Sequence, residues 1–160
     1  MRILFPLCCL LLSASSLYGQ AAPPAQPADA ATELRKSFAE VNGWVTQAAE
    51  MVPEDKYNYR PVDTVRTFGQ LIGHITDSYN FFCARAGGNN VEWSDPIEKG
   101  STDKATLMPK LKQAVDRCNE VYKGSNGRIA PLLNNVGHTS LHYGNIITYM
   151  RMLGMKPPSS

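Results

Sequence analysis

The residues best suited to metal chemistry are the three histidines of the 160-residue chain, His74, His138 and His142. His138 and His142 are four residues apart, so on a helix their imidazoles share one face, with Cβ atoms about 6 Å apart. Two ligands of one metal ion need this separation, and imidazole suits zinc, nickel, copper and iron. The alternative is a pair of partly buried histidines whose ring nitrogens are satisfied by hydrogen bonds. Spacing alone does not separate these two interpretations.

Both histidines lie on the apolar stripe of the last predicted helix, where an unpaired imidazole costs free energy. His74 lies near the middle of another predicted helix, at a depth that matches the depth of His138 and His142 in theirs. Three protein ligands with water in the remaining positions form an open, catalytic type of site, in which bound water ionises near neutral pH. The sequence identifies no further catalytic side chain.

Polar residues close to the histidines in sequence are candidates for hydrogen bonds that fix the imidazole tautomers. These candidates are Asp77, Ser78, Asn134 and Asn145. Each has the alternative of lying on the polar surface, and for Asp77 that alternative is at least as strong.

Hydrophobic periodicity predicts four helices, which must position these residues. Asp29 is the predicted N-cap of the first helix, and Pro53 ends it. Thr67 and Gln70 have capping-box spacing at the start of the second helix, and Gly87-Gly88 ends it. The third helix is predicted to begin near Thr106, because Pro109 is tolerated only in a first turn. The last helix is predicted to run from near Pro131 to Gly154.

The connection between the second and third helices is long and lacks helical periodicity. Residues 89–101 (NNVEWSDPIEKGS) carry Gly, Pro, Asn and Asp, and long loops in compact domains are often functional. Trp93 lies in this loop and could belong to the core or to an interface, or could instead cover the site. The predicted fold is therefore all-α, an antiparallel four-helix bundle with a long crossover between helix 2 and helix 3.

The N-terminus has the pattern of a signal peptide. Arg2 gives a short positive region, and residues 4–12 form an apolar run too short to span a bilayer. We predict a signal peptide at 1–21, a flexible lead-in at 22–28, the helical domain at 29–156 and a tail at 157–160. We therefore expect an exported protein, periplasmic or secreted, without stable membrane insertion after cleavage.

Export affects how the two cysteines of the mature chain, Cys83 and Cys118, are interpreted. Disulfides form in oxidising compartments, so a bond between these two is favoured. Two buried free thiols are the second alternative, and a catalytic thiol is the third. The net charge of +2 gives no electrostatic reason to expect a nucleic-acid partner, and a homodimer is compatible with the sequence.

Several stretches of the chain together resemble the DinB superfamily of metalloenzymes, which includes bacillithiol transferases and mycothiol-dependent isomerases. The matching stretches are 60–61 (RP), 66–75 (RTFGQLIGHI), 138–145 (HTSLHYGN) and 149–154 (YMRMLG). The resemblance implies a four-helix bundle with a long second crossover. It also implies a zinc or nickel site at His74, His138 and His142, with structural roles for Arg60 and Arg151.

The resemblance is less informative about the reaction. The thiol-transferase members use low-molecular-weight thiols of the cytoplasm, and an exported chain is not expected to meet them. The first hypothesis is therefore a metal-dependent enzyme, of hydrolase type, that acts on an unidentified small molecule. The alternatives are a non-catalytic metal-holding or stress-related binding module, a thiol-dependent transferase, and a purely structural bundle whose histidines belong to the core.

Overall fold

Four α-helices make up most of the computed structural model, which describes residues 29–124 and 127–160. They are α1 (Ala30–Met51), α2 (Phe68–Ala86), α3 (Lys104–Lys123) and α4 (Ile129–Met152). A short 3-10 helix, Glu54–Lys56, lies between α1 and α2. The described ranges contain no β-strand, which confirms the all-α prediction. The predicted signal peptide and lead-in lie outside the described residues.

The caps of the first two helices are those that the sequence predicts. The Asp29 side chain accepts a hydrogen bond from the Ala31 amide. At the start of α2 the Thr67 hydroxyl accepts from the Gln70 amide at 3.1 Å, and the Gln70 side chain accepts from the Thr67 amide at 2.9 Å. Gly87 ends α2, and Gly88 follows with a φ of 96°, a conformation that glycine adopts without strain.

The last two helices begin two residues earlier than predicted. Asp103 caps α3 by accepting from the Thr106 amide at 2.7 Å, so the helix starts at Lys104 rather than near Thr106. Pro109 consequently lies in the second turn, where it removes one backbone hydrogen bond. Helix α4 starts at Ile129, which places Pro131 in the first turn, where its missing N–H has no helical partner to lose.

The helices pack as a four-helix bundle in which α2 contacts α3 and α4, and α1 contacts α4 and α3. Phe38, near the start of α1, stacks on Tyr122, near the end of α3, with ring centroids 4.1 Å apart, so these helices are antiparallel. The long crossover makes α2 and α3 run parallel, since Gly69 meets Thr102 at one end and Cys83 meets Cys118 at the other. Helix α4 runs antiparallel to α2.

The predicted bond between Cys83 and Cys118 is present, and it joins α2 to α3 with Cα atoms 5.3 Å apart. Both residues lie in the hydrophobic core. Within the described ranges, no helix is both long and apolar enough to span a bilayer. The disulfide thus links α2 and α3 covalently, and α4 packs against α2.

Candidate metal centre

The structure brings the three predicted histidines together between α2 and α4. His74 and His142 are buried, and His138 is partly buried. Each offers one ring nitrogen such that all three nitrogens lie within 4.8 Å of one another. The ring centroids are 4.4 Å apart for His138 and His142, and 4.6 Å apart for His74 and His142. We call these three residues the histidine triad.

The closest approach in the triad fits a shared metal ion. The Nε2 atoms of His74 and His138 are 3.2 Å apart. Two nitrogens that bind one tetrahedral ion at about 2.0–2.1 Å lie about 3.3 Å from each other. Three imidazoles suit a divalent ion such as zinc, nickel, copper or iron. The residues present therefore fit a divalent ion.

The protonation of the two α4 histidines favours the same role. Burial, together with the neighbouring charges of His74 and Arg66, lowers the pKa of His138 to about 4. Burial likewise lowers the pKa of His142 to about 4, together with the charges of His138 and His74. Both imidazoles are consequently neutral at pH 7, as a metal ligand must be.

Two functional residues that sequence reasoning missed lie beside His74. Glu98, from the crossover, has Oε2 2.7 Å from His74 Nδ1. Arg66, just before α2, donates from Nε to Glu98 Oε1 at 2.6 Å and approaches Oε2 with Nη2 at 3.4 Å. The available signal was the position of Glu98 in a loop already expected to be functional, and of Arg66 in a stretch that carries the family resemblance.

Glycines of α2 allow the crossover to reach the triad. A Cβ atom on Gly73 would lie 2.9 Å from the Cα of Glu98, and one on Gly69 would clash with the Thr102 carbonyl oxygen. Any larger residue would push the crossover backbone away from α2. The buried carboxylate of Asp77 adds a second restraint, since it accepts from the Ile97 amide at 3.1 Å and from the Glu98 amide at 2.9 Å.

Aromatic rings cover the outer side of the triad. Trp93 packs its ring against His74 with centroids 5.5 Å apart, as expected for a loop residue over the site. Phe82 lies 5.7 Å from the His138 ring, and Phe81 supports Trp93 at 5.5 Å. Trp93 itself is 42% exposed to solvent. The centre is therefore shielded by a ring that itself faces solvent.

The candidates for hydrogen bonds to the histidines have different outcomes. Asn145 lies as expected, with Nδ2 3.4 Å from His142 Nδ1. Asp77 binds the crossover amides instead, and Ser78 donates to the Ile75 carbonyl, so neither holds an imidazole. Asn134 is exposed, one turn before His138, and His138 Nδ1 has no hydrogen-bond partner, so Asn134 does not hold that nitrogen. Helical spacing correctly predicts that these side chains lie near the histidines in sequence, but it does not determine the hydrogen-bond partner of each side chain.

The two arginines given structural roles lie on the surface. Arg60 forms an exposed ion pair with Asp63 at 3.0 Å, and Arg151 is exposed in the last turn of α4. The arginine that contacts the site is Arg66.

Comparison with known proteins agrees with this architecture. The sequence model of the DinB superfamily matches residues 38–139, which is well over half of the chain. The chain belongs to the DinB superfamily. The matched range includes His74 and His138 and ends just before His142. A curated relative of this DinB-superfamily chain is "Uncharacterized protein YjoA" of Bacillus subtilis (strain 168), 25% identical over 125 residues, with 68% of this chain and 80% of the relative covered. No solved structure gives a significant match.

Proposed function

We propose that this DinB-superfamily chain is an exported metal-dependent enzyme of the hydrolase type, with zinc or nickel held by His74, His138 and His142. The observation that carries the proposal is the convergence of three imidazole nitrogens within 4.8 Å of one another. Among the residues that the structure describes, no carboxylate completes the set, so a tetrahedral ion would keep one position for water or substrate. A divalent ion in such a position acts as a Lewis acid and lowers the pKa of bound water.

The protein's own residues supply binding and exclusion of bulk solvent. The imidazoles offer lone pairs, Glu98 contacts His74 on its far ring nitrogen, and Trp93 covers the outer side. Trp93 is a half-exposed loop residue, and we propose that its displacement opens the way to the triad. A small molecule would then reach the triad from the crossover side.

Export is the second part of this proposal. The predicted signal peptide supports it, and the Cys83–Cys118 disulfide is typical of oxidising compartments. A cytoplasmic thiol co-substrate is absent there, which disfavours the thiol-transferase reaction. Export is tested by fractionating cells that produce the full chain and by sequencing the N-terminus of the mature protein.

The activity is tested with the untagged mature chain loaded with zinc or nickel. We expect turnover of at least one ester, amide or phosphoester substrate, and loss of that turnover in His142→Ala. Asn134→Ala is the matched control, because Asn134 is exposed on the same helix. Turnover that survives in His142→Ala, or no turnover in any of these substrate classes, would contradict the proposal.

A metal-holding module without turnover is the second candidate, and one contact favours it. Glu98, the carboxylate beside the triad, has both oxygens engaged by Arg66 and His74, so it is not free to act as a general base. Both candidates bind a metal, and only turnover distinguishes them.

A further inference from the structure

We propose that Glu98 is a positioning residue of the metal centre. It fixes His74 as the tautomer that carries its proton on Nδ1 and leaves the Nε2 lone pair available to a metal ion. This inference rests on the proposed three-histidine site and assigns a role to a residue outside it.

The contact itself defines the tautomer. An ionised carboxylate accepts hydrogen bonds and has none to donate. The 2.7 Å contact between Glu98 Oε2 and His74 Nδ1 therefore requires the proton on Nδ1. In the neutral imidazole, Nε2 is then the unprotonated nitrogen, and this is the atom that lies 3.2 Å from His138 Nε2. The carboxylate thus directs the lone pair of His74 into the triad.

Glu98 is itself held from three parts of the chain. Arg66, before α2, makes the two contacts to its carboxylate, so the oxygens are fixed in orientation. Asp77 of α2 accepts from its backbone amide at 2.9 Å. Tyr149 of α4 donates to the Arg66 carbonyl at 2.8 Å, which ties the arginine to the helix that carries the other two histidines. The Glu98 side chain is only 14% exposed, so water competes weakly for its oxygens.

The geometry disfavours two other roles for Glu98. A ligand would have to reach the point where the three ring nitrogens converge, whereas the Glu98 carboxylate lies beside Nδ1, on the other side of the His74 ring from the triad. A general base would need a free oxygen facing the substrate, whereas both oxygens are engaged. A carboxylate that accepts from the non-ligating nitrogen of a histidine orients the ring and makes it a stronger ligand.

The other two histidines lack comparable support. His138 Nδ1 is buried without a hydrogen-bond partner, and His142 Nδ1 has the neutral amide of Asn145 at 3.4 Å. Charge-assisted hydrogen bonds are about twice as strong as neutral ones. Glu98 therefore makes His74 the best-oriented member of the triad.

The test uses Glu98→Ala and the isosteric Glu98→Gln, with Glu92→Ala as a control from the same crossover, where Glu92 is exposed. The first readout is nitrogen-15 NMR of the histidine side chains in the metal-free protein. We expect His74 to be protonated on Nδ1 in the native chain and in Glu92→Ala. In Glu98→Ala the Nε2-protonated form should appear.

The second readout is zinc affinity, measured by competition with a chelating dye. We expect Glu98→Ala to bind zinc roughly 10–100-fold more weakly, Glu98→Gln to lose less because its amide oxygen still accepts from Nδ1, and Glu92→Ala to match the native chain. Equal affinity in Glu98→Ala and Glu92→Ala, or an unchanged His74 tautomer, overturns the inference. If the native chain binds no zinc, the proposed function fails instead, and the NMR readout still decides the role of Glu98.

Discussion

The two sides of the histidine triad are built differently. On the α2 side, His74 is supported by Glu98, Glu98 by Arg66 and Asp77, and α2 itself by a disulfide to α3. On the α4 side, His138 and His142 sit on a helix with no charged residue between Arg128 and Arg151. Helix α4 thus contributes two of the three histidines, whereas the α2 side contributes the third histidine and the groups that orient it.

This difference shows where a carboxylate can come from in a bundle of this kind. A helix that buries two histidines on its apolar face has little room for an acid on the same face. In this chain the carboxylate that contacts the triad comes from the long crossover. Because the crossover passes over α2 at Gly69 and Gly73, its carboxylate reaches His74 and not the α4 pair.

The disulfide should have the largest effect of any change on the α2 side. Replacing both Cys83 and Cys118 by serine opens a covalent loop with a sequence separation of 35 residues. We expect the free energy of unfolding to fall by about 4 kcal/mol by the chain-entropy model, as measured by urea denaturation. The zinc affinity of the folded chain should not change, because neither cysteine contacts a histidine of the triad. An unchanged free energy of unfolding would show that the disulfide does not stabilise the α2 side.

Glycine substitutions compare the two sides directly. Gly73→Ala places a methyl group 2.9 Å from the Glu98 Cα, whereas Gly137→Ala on α4 meets nothing within 4 Å. We expect Gly73→Ala to lower stability by roughly 1–3 kcal/mol, as in overpacked cores, and to weaken zinc binding because Glu98 moves. Gly137→Ala should raise stability by about 0.5–1 kcal/mol, since alanine suits a helix interior better than glycine. Similar effects of the two substitutions would contradict the proposed difference between the α2 side and the α4 side.

Acidification should destabilise the metal-free protein through the α4 side. The folded-state pKa of His138 and of His142 is about 4, against an ordinary value of 6.5. As the pH falls from 6.5 to 4, the two histidines bind protons in the unfolded chain but not in the folded chain. The free energy of unfolding is therefore at its full value above pH 6.5 and decreases as the pH falls through this range. The variant with His138→Gln and His142→Gln should lose less stability over the same range. Chemical denaturation with a chelator present measures this, and parallel curves for the two proteins would contradict it.

The smallest effect is expected at Asn145, the polar neighbour of the α4 pair. Its contact to His142 Nδ1 is long, at 3.4 Å, and the residue is exposed. A weak neutral hydrogen bond contributes about 0.5 kcal/mol, so Asn145→Ala should change zinc affinity only slightly. A loss as large as that in Glu98→Ala would show that both sides orient their histidines equally.

Local features of the fold were predictable because short stretches of sequence determine them. The caps at Asp29 and Thr67 and the glycine stop after α2 depend on residues next to each other, and all three are as predicted. The sequence predicts the starts of α3 and α4 two residues too late, because the prolines are stronger signals for a first turn than the residues before them. In α3 the cap at Asp103 offsets the hydrogen bond that Pro109 removes.

The histidine pair of α4 was predictable from its spacing, whereas the group that orients His74 was not. Glu98 is 24 residues from His74 and 32 from Arg66, in a loop without periodicity. No local rule connects such residues. The glycines at 69 and 73, one turn apart inside a helix, were a further signal, since a helix without a Cβ at these positions lets another backbone approach closely.

The measurement that tests the central claim most directly is elemental analysis of the untagged mature protein, together with its single histidine variants. The account predicts one zinc or nickel ion per chain, and loss of that metal on replacing His74, His138 or His142 by alanine. Asn134→Ala should retain it in full. A native protein purified without chelator that holds no stoichiometric metal, and takes up none when zinc or nickel is supplied, would contradict the account.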